Sequence, residues 1–550
     1  MQNHRQMLKI HPTDNVWVAL RDLPAGAAAP DGTVTAEPIP QKHKFTAEPL
    51  AVGAAVRMYG VKIGETATDL PRGARLRVEN LRHATTPPGS RGRYDWSPPE
   101  VSQWKNRQFL GYWRADGRVG TQNLWLVVPL VFCENRNILA LKESLETQLG
   151  YRQLPRQDLD LQILIEKWRS GATAAALEQA DILSEKNAAA TPPARVFPNV
   201  DGIRFLTHEG GCGGIRQDAE VLCRLLAGYI AHPNVAGATV LSLGCQNAQI
   251  SMLENALAEM YPQHGKPVFV LEQQKSGSER QFLAEAARKT FVGLTLANQI
   301  ERQPAPISKI CLGLKCGGSD GFSGISANPA LGHAADLLVA AGGAALLAEF
   351  PELNGVEQEL INRCQTDADA ERFRHLMQAY AEQVRAVGSD FSFNPSPGNI
   401  RDGLITDAMK SAGAAKKGGS SPIARVLDYA EPALPQGLQL LCTPGNDVES
   451  TTGLAGSGAN LIVFTTGLGT PTGNPVAPTL KFSSNTDLAR RMPDLIDASA
   501  GDIIEGSETV ENCGEKLLEL ILKTASSEYL PRATALGQFD FIPWKRGVSL

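Results

Sequence analysis

Four cysteines sit where an apolar run gives way to glycine or polar residues. Cys133 closes LWLVVPLVFC, Cys212 lies inside FLTHEGGCGG, Cys245 follows ATVLSLG and Cys316 follows KICLGLK. Glycine lets a backbone turn sharply or approach a ligand closely, so a thiol between two glycine pairs is poorly placed to fill a core. Thiolates are nucleophiles and soft metal ligands, and helix N-termini favour them. Each apolar run reads as a strand followed by a helix, and in open α/β sheets ligands bind beyond the C-terminal strand ends. Four thiols far apart in sequence can therefore converge in space. The competing reading makes each a small buried hydrophobe, because free cysteine is among the most buried residue types. That reading suits Cys223, Cys364 and Cys513, and Cys311 inside its strand. The chain has nine cysteines, an odd number, and no C-x-x-C pair. A disulfide framework and a zinc ribbon are both disfavoured, and any metal site has to be assembled from distant segments.

The elements that must position these residues change along the chain. Residues 8–82 read as short strands and turns, in LKIHPTDNVWVAL, PDGTVTAEPIP, HKFTAEPL and GAAVRMYGVKIG, and predict a small all-β module. Residues 83–107, with their Pro-Pro pairs, read as a linker. From 108 onward apolar runs alternate with helical patterns: LWLVVPLVF before ENRNILALKESLETQL, GIRFLT before a helix starting near Arg216, ATVLSLG before QNAQISMLENALAEM, and KICLGL before a segment running to about 341. Ile250, Leu253, Leu257 and Met260 share one helical face. Fully apolar strands alternating with helices predict mostly parallel sheets covered on both faces. A break at IERQPAP divides this part into two α/β lobes, 108–304 and 305–550. KSAGAAKKGGSSP, residues 410–422, reads as a mobile loop.

Composition removes several function classes. The 550 residues carry a formal net charge of −5, and no long Lys/Arg block marks a nucleic-acid surface. No apolar run reaches the ~18 residues a membrane span needs. The best candidate, AADLLVAAGGAALLAEF, is interrupted by Asp336 and a glycine pair. The polar N-terminus lacks a signal-peptide apolar core, so a cytoplasmic protein is expected. Neither GGCGG nor CGGSDGFSG fits the dinucleotide fingerprint, and Gly418 is followed by glycine where a phosphate loop needs lysine.

The motifs GYWRADGRVGTQN, HEGGCGG, LSLGCQN, KCGGSDGFSGISANPALG, NPSPGN, TPGNDVEST and FTTGLGTPTGNP stand in that order from about residue 108. Together they resemble the altronate/galactarate dehydratase family. KIHPTDNVWVAL and QKHKF resemble the SAF (β-clip) domain that precedes the catalytic part in that family. LSLGCQN, TPGNDVEST and the KRGVSL ending resemble the altronate branch. The resemblance implies loss of water from a six-carbon sugar acid, D-altronate giving 2-dehydro-3-deoxy-D-gluconate, with a divalent metal, typically ferrous iron. A homo-oligomer acting on a small molecule is the expected setting. Three positions depart from the family pattern by lacking a basic residue: Gln122, Ile400 and Leu468. Arg118, Arg136, Lys315 and Arg401 are near enough in sequence to compensate.

Such a dehydration removes the C2 proton and the C3 hydroxyl. It needs a base, an acid and neutralisation of the carboxylate charge as the enediolate forms. On the resemblance, Cys212, Cys245 and Cys316, with Cys133, are candidate metal ligands, for a ferrous ion or for an iron–sulfur cluster with one open position. His208 is a candidate base or ligand, or a histidine bonded at a strand end. Asp320, with His43 and Lys44 of the β module, completes the candidate catalytic set. Ser319, Asn328, Asn399, Asn446, Asp447, Arg118 and Asn123 are candidates for substrate contact. His11 and Asp14 join them if the β module caps the site; otherwise HPTDN is a polar turn. Glu349 and Glu352 form a possible second carboxylate pair, against the simpler reading of a solvated turn. A different lyase reaction on a 2-hydroxy acid, or a non-catalytic sugar-acid sensor, are the competing functions.

Overall fold

The computed structural model describes residues 6–152, 159–183 and 194–549. Leu550, the last residue of the KRGVSL ending, lies outside the described residues. Two three-stranded antiparallel sheets form the front module. The first holds β1 (Met7–Leu8), β2 (Val16–Ala19) and β3 (Lys44–Thr46); the second holds β4 (Ala55–Met58), β5 (Val61–Thr66) and β6 (Leu81–Arg82). Residues 83–107 form no strand or helix and run across the helix Glu357–Arg363, to which Gly89 and Gly92 donate backbone hydrogen bonds through Gln358 and Asn362.

β7 (Gln108–Trp113) and β8 (Val119–Gly120) lead into the first lobe. That lobe is built on β9 (Leu124–Pro129), β10 (Gly202–Phe205), β11 (Val235–Ser242) and β12 (Val268–Glu272), all parallel, in the order β10-β9-β11-β12. Val127, Leu126 and Trp125 are wholly buried, as expected of a parallel strand covered on both faces. IERQPAP is more than a break. Its residues Gln303–Pro306 form β13, which pairs antiparallel with β7 and ties the lobes together.

The second lobe carries a seven-stranded parallel sheet. Its strands are β14 (Cys311–Cys316), β15 (Ala344–Leu347), β16 (Ile423–Leu427), β17 (Gly437–Leu441), β18 (Leu461–Thr466), β19 (Thr479–Ser483) and β20 (Ala498–Ser499). The order is β16-β17-β15-β14-β18-β19-β20. The chain builds leftward from β14 and then crosses to its right with β18, so the topological switch point falls between β14 and β18. The apolar run AADLLVAAGGAALLAEF is divided by structure: it ends the helix Ala327–Ala340, turns at Gly342 with φ +92°, and enters β15. No helix among the described residues is long and apolar enough to cross a membrane.

The N-terminal edges of the two parallel sheets meet. Asn234 donates to the carbonyls of Asn460 and Val476 at 2.9 and 2.8 Å, and Thr121 bonds the Asn460 carbonyl at 2.9 Å. The C-terminal edges therefore open to one side, and the terminal segment 541–549 bridges them. Arg546 pairs with Asp428 of the second lobe, while the backbone of Arg546 and Gly547 donates to Asp218 of the first.

Candidate active site

β14 delivers Lys315 and Cys316 to the switch point, where both are buried. The loop that follows can turn there because Gly318 adopts φ +58°, a region costly for other residues. The loop after β18 locks onto it: Gly467 and Leu468 donate backbone hydrogen bonds to the Gly318 carbonyl at 3.0 and 2.9 Å. A Cβ on Gly467 would lie 2.3 Å from Asp320, so only glycine permits this approach.

Around Cys316 the fold buries a cluster of charges. Glu349 follows β15 with φ +71°, a left-handed conformation that is uncommon outside glycine, and its N–H donates to Thr443 Oγ1 at 2.9 Å. Its carboxylate bonds Lys315 on one side and Lys417 Nζ at 2.9 Å on the other. Lys315 Nζ also reaches Asp447 Oδ1 at 2.8 Å. Glu352 accepts from Lys410 Nζ at 2.8 Å and from the Cys316 thiol at 3.2 Å. Lys417 Nζ donates to Cys316 Sγ at 3.1 Å. Three ammonium groups thus face three carboxylates and one thiol.

These contacts set the protonation states. Burial opposes charge on Lys315, Lys417 and Lys410, but their acidic neighbours more than offset it and raise all three pKa values. Burial pushes the Cys316 thiol up, and Glu349 and Glu352 add to the push. Glu352 resists burial through Lys410, Lys417 and Lys315, and falls to about 2. Nearby Asp407 is raised to about 8 by burial, and its Oδ1 has no partner. On β19, Lys481 is fully buried and likewise unpartnered, and burial lowers it to about 7. It stands level with Phe464 of β18 and Lys315 of β14, with its Nζ 3.8 Å from the centre of the Phe464 ring.

Cys316, Glu349 and Glu352 place one donor atom each within 4.8 Å of one another, a set that suits a metal by ligand type. Lys417 Nζ already occupies the cationic position between Cys316 and Glu349, however. A dication there would have to displace or deprotonate that ammonium and remove the thiol proton given to Glu352.

Several residues singled out in the sequence are engaged in holding the structure. Asp320 is saturated by Ser323, Ser484, Asn485 and the Phe322 N–H, and pairs with Lys42 at 3.0 Å. Lys44 Nζ donates to the Gly403 carbonyl at 2.7 Å and burial lowers its pKa to about 7. His43 bonds the Arg401 carbonyl and Arg75, and burial with Arg75 lowers it to about 4. The β module thus grips the segment 401–403 beside the CGGSD loop. His11 and Asp14 form the polar turn, with Asp14 accepting from the N–H groups of His11, Tyr59 and Gly60. His208 uses both ring nitrogens, accepting from Gly210 N–H at 3.1 Å and donating to the Pro129 carbonyl at 2.8 Å. Asn328 links Gly413 to Thr465; Asn399 closes a capping box and reaches the Ser319 carbonyl at 2.7 Å; Asn446 caps the helix Asp447–Gly456. Arg118, Asn123 and Gln122 lie at the N-terminal edge of the sheets, away from Cys316; Arg118 pairs with Asp116 and Asn123 with Arg114.

Three expectations are corrected. Glu349 and Glu352 are buried and ion-paired, because β15 carries them inward rather than into a solvated turn. KSAGAAKKGGSSP is no mobile loop: the helix Asp407–Ala415 and the turn after it are buried against the module and β15, and they present Lys410 and Lys417. The seven-residue spacing of these lysines, two helical turns on one face among small residues, was the available signal. Lys481, alone in an apolar strand, was another. Nor does Cys316 join the other candidate thiols. Cys133, Cys212 and Cys245 are exposed at the C-terminal edge of the first lobe, while Cys316 is buried in the second.

Fold and site define a modular α/β enzyme with a buried acid–base cluster at a topological switch point. Three family models match successive parts of the chain: the altronate/galactarate dehydratase SAF domain over residues 5–84, the D-galactarate dehydratase/altronate hydrolase second domain over 111–298, and the D-galactarate/altronate dehydratase C-terminal domain over 307–549. The altronate dehydratase of Escherichia coli K12 is 31% identical over 529 residues, 95% of this chain and 96% of that protein. The altronate dehydratase of Bacillus subtilis 168 is 31% identical over 542 residues, with 95% and 96% coverage. The galactarate dehydratase (L-threo-forming) of Escherichia coli K12 is 31% identical over 527 residues, with 95% and 93% coverage. The chain belongs to the D-galactarate/altronate dehydratase family and is a hydro-lyase.

Proposed function

We propose that this enzyme dehydrates a six-carbon sugar acid, with D-altronate as first candidate and 2-dehydro-3-deoxy-D-gluconate as its product. The observation that carries this reading is the ion cluster at the switch point of the second lobe. Removing the C2 proton builds negative charge on the substrate carboxylate. The ammonium groups of Lys315, Lys410 and Lys417, held in place before the reaction by their acidic partners, supply preorganised stabilisation of that charge. A neutral amine is the form that accepts a proton, and Lys481 holds it near neutral pH. Asp407 is a carboxylic acid near pH 7 and can protonate the departing C3 hydroxyl. Asn446 and Asp447, not fully buried beside Lys315, are the candidates for polyol contact, with Ser319 behind them. A ferrous ion would add Lewis-acid polarisation of the substrate oxygens.

A second reading, galactarate as substrate, is supported by equal similarity to a galactarate dehydratase. Measuring kcat/KM for altronate and galactarate side by side separates the two. Preference for altronate by tenfold or more is expected; preference for galactarate moves the substrate assignment. Loss of both activities in Lys481→Met, in folded protein, is also expected. Full activity in that variant removes Lys481 as the base.

A further inference from the structure

The stretch RADGR, residues 114–118, has no part in the charge cluster. It forms the turn between β7 and β8, on the far side of the molecule, where the N-terminal edges of the two parallel sheets meet. A cavity of about 420 Å³ opens there, within the roughly 300–1,000 Å³ typical of small-molecule sites. Both lobes wall it. The RADGR turn and residues 261–264 form one side; residues 308–311, 432–436 and 457–458 form the other. The charge here is one-sided. Arg114, Arg118, Lys266 and Lys309 gather around a single paired carboxylate, Asp116. Arg118 bonds Asp116 Oδ2 at 2.6 Å and the Ala231 carbonyl at 2.7 Å. Neutral oxygens hold the rest: the Pro233 carbonyl takes Arg114 at 2.7 Å, the Ile230 and His232 carbonyls take Lys266, and the Gly117 carbonyl takes Lys309 at 2.9 Å. The next acid, Asp201, is engaged by Arg302 at 3.3 Å. The catalytic cluster matches its ammonium groups with carboxylates; this group does not. Burial, then Arg114 and Arg118, hold Lys266 well below the ordinary lysine range. Arg118 lies over the Tyr261 ring, 5.3 Å from its centre, and its Nη1 makes no hydrogen bond among the described residues.

We propose that this cavity binds a small organic polyanion, a polycarboxylate or a phosphate ester, at a site separate from the catalytic one. The planar guanidinium of Arg118 matches the oxygen pair of a carboxylate or phosphate. Lys309 makes one hydrogen bond, to Gly117, and has donors left for a second acidic group. An anion between them supplies the counter-charge that Lys266 and Arg114 lack. The cavity is apolar at Pro432 and Leu434, which cover a carbon body that a bare inorganic anion does not have. A ligand held by both lobes favours the folded, closed arrangement and stabilises it by mass action. The inference stands apart from the substrate assignment, because none of its residues belongs to the catalytic cluster.

The test is calorimetric titration of the full chain, at low salt, with citrate, pyrophosphate and inorganic phosphate. Citrate or pyrophosphate is expected to bind once per chain with a Kd of about 0.1 mM or below, and inorganic phosphate about tenfold more weakly. Citrate ahead of pyrophosphate assigns the site to a polycarboxylate; the reverse order assigns it to a phosphate ester. Arg118→Gln is expected to weaken binding about tenfold or more. Leu434→Asp, on an exposed residue of the cavity wall, should act in the same direction by adding a like charge, and it stands in if Arg118→Gln disturbs folding. Asn446→Asp places a negative charge at the catalytic edge while keeping the helix cap, and should bind as the wild type does. Absence of binding by both citrate and pyrophosphate overturns the proposal. So does binding that survives both cavity variants, or that is lost in Asn446→Asp.

Discussion

Lys417 is defined by what it neutralises, Glu349 and the Cys316 thiol. Its ammonium is the counter-charge that lets Glu349 and the Cys316 thiol sit in a dry interior. Removing one member of a buried ion pair strands the other charge, at a cost of roughly 3–5 kcal/mol. Lys417→Met is therefore expected to lower the unfolding free energy, measured by denaturant titration, by an amount in that range. The double variant Lys417→Met/Glu349→Gln should recover more than half of the loss, as a double-mutant cycle will show. Lys481 works in the opposite sense. Its pKa is lowered on folding, so the unfolded chain binds the extra proton between about pH 7 and the ordinary lysine range. Stability due to this residue rises with pH through that window. Lys481→Met is expected to be more stable than the wild type at pH 7, with the advantage shrinking as pH approaches 10; an unchanged difference in melting temperature across that range would refute the burial argument. At this scale the sequence was only partly legible. Glycine-bound thiols stand out by type, but an ion pair such as Lys315–Glu349 depends on which strand ends meet, and spacing alone does not say that.

Strands and helices were the most legible level, because fully apolar runs such as LWLVV and ATVLS have one physical outcome in an α/β chain. What periodicity could not reveal was the fate of small-residue segments. Ala and Gly in KSAGAAKKGG look like a flexible loop until a neighbouring surface comes close enough to need them. The helix Arg216–Ala231 makes the same point. A Cβ on its Gly228 would lie 2.0 Å from the Gly456 carbonyl of the helix Asp447–Gly456, so the two lobes pack with backbones nearly touching. Gly228→Ala is expected to cost about 1–3 kcal/mol through overpacking, read as a lower melting temperature. Wild-type stability in that variant would mean the lobe interface yields without strain.

For the whole molecule, three units contribute to one side. The front module supplies Lys42, His43 and Lys44 to clamp Asp320 and residues 401–403, the first lobe presents three thiols, and the second lobe holds the charge cluster. Ile400 and Leu468 lie near this clamp, whereas Gln122 is at the far edge. Leu468→Arg is therefore expected to change KM for an acidic substrate several-fold, and Gln122→Arg to leave it within about twofold, the pattern for a charge near rather than far from bound carboxylate. The most direct test of the central claim is anaerobic turnover of D-altronate by the full chain, stripped by chelator and then given ferrous iron, with 2-keto-3-deoxy acid as the readout. Product that appears only after iron is restored is the predicted result. No product from altronate, galactarate or any related sugar acid, in folded and iron-replete protein, would contradict it.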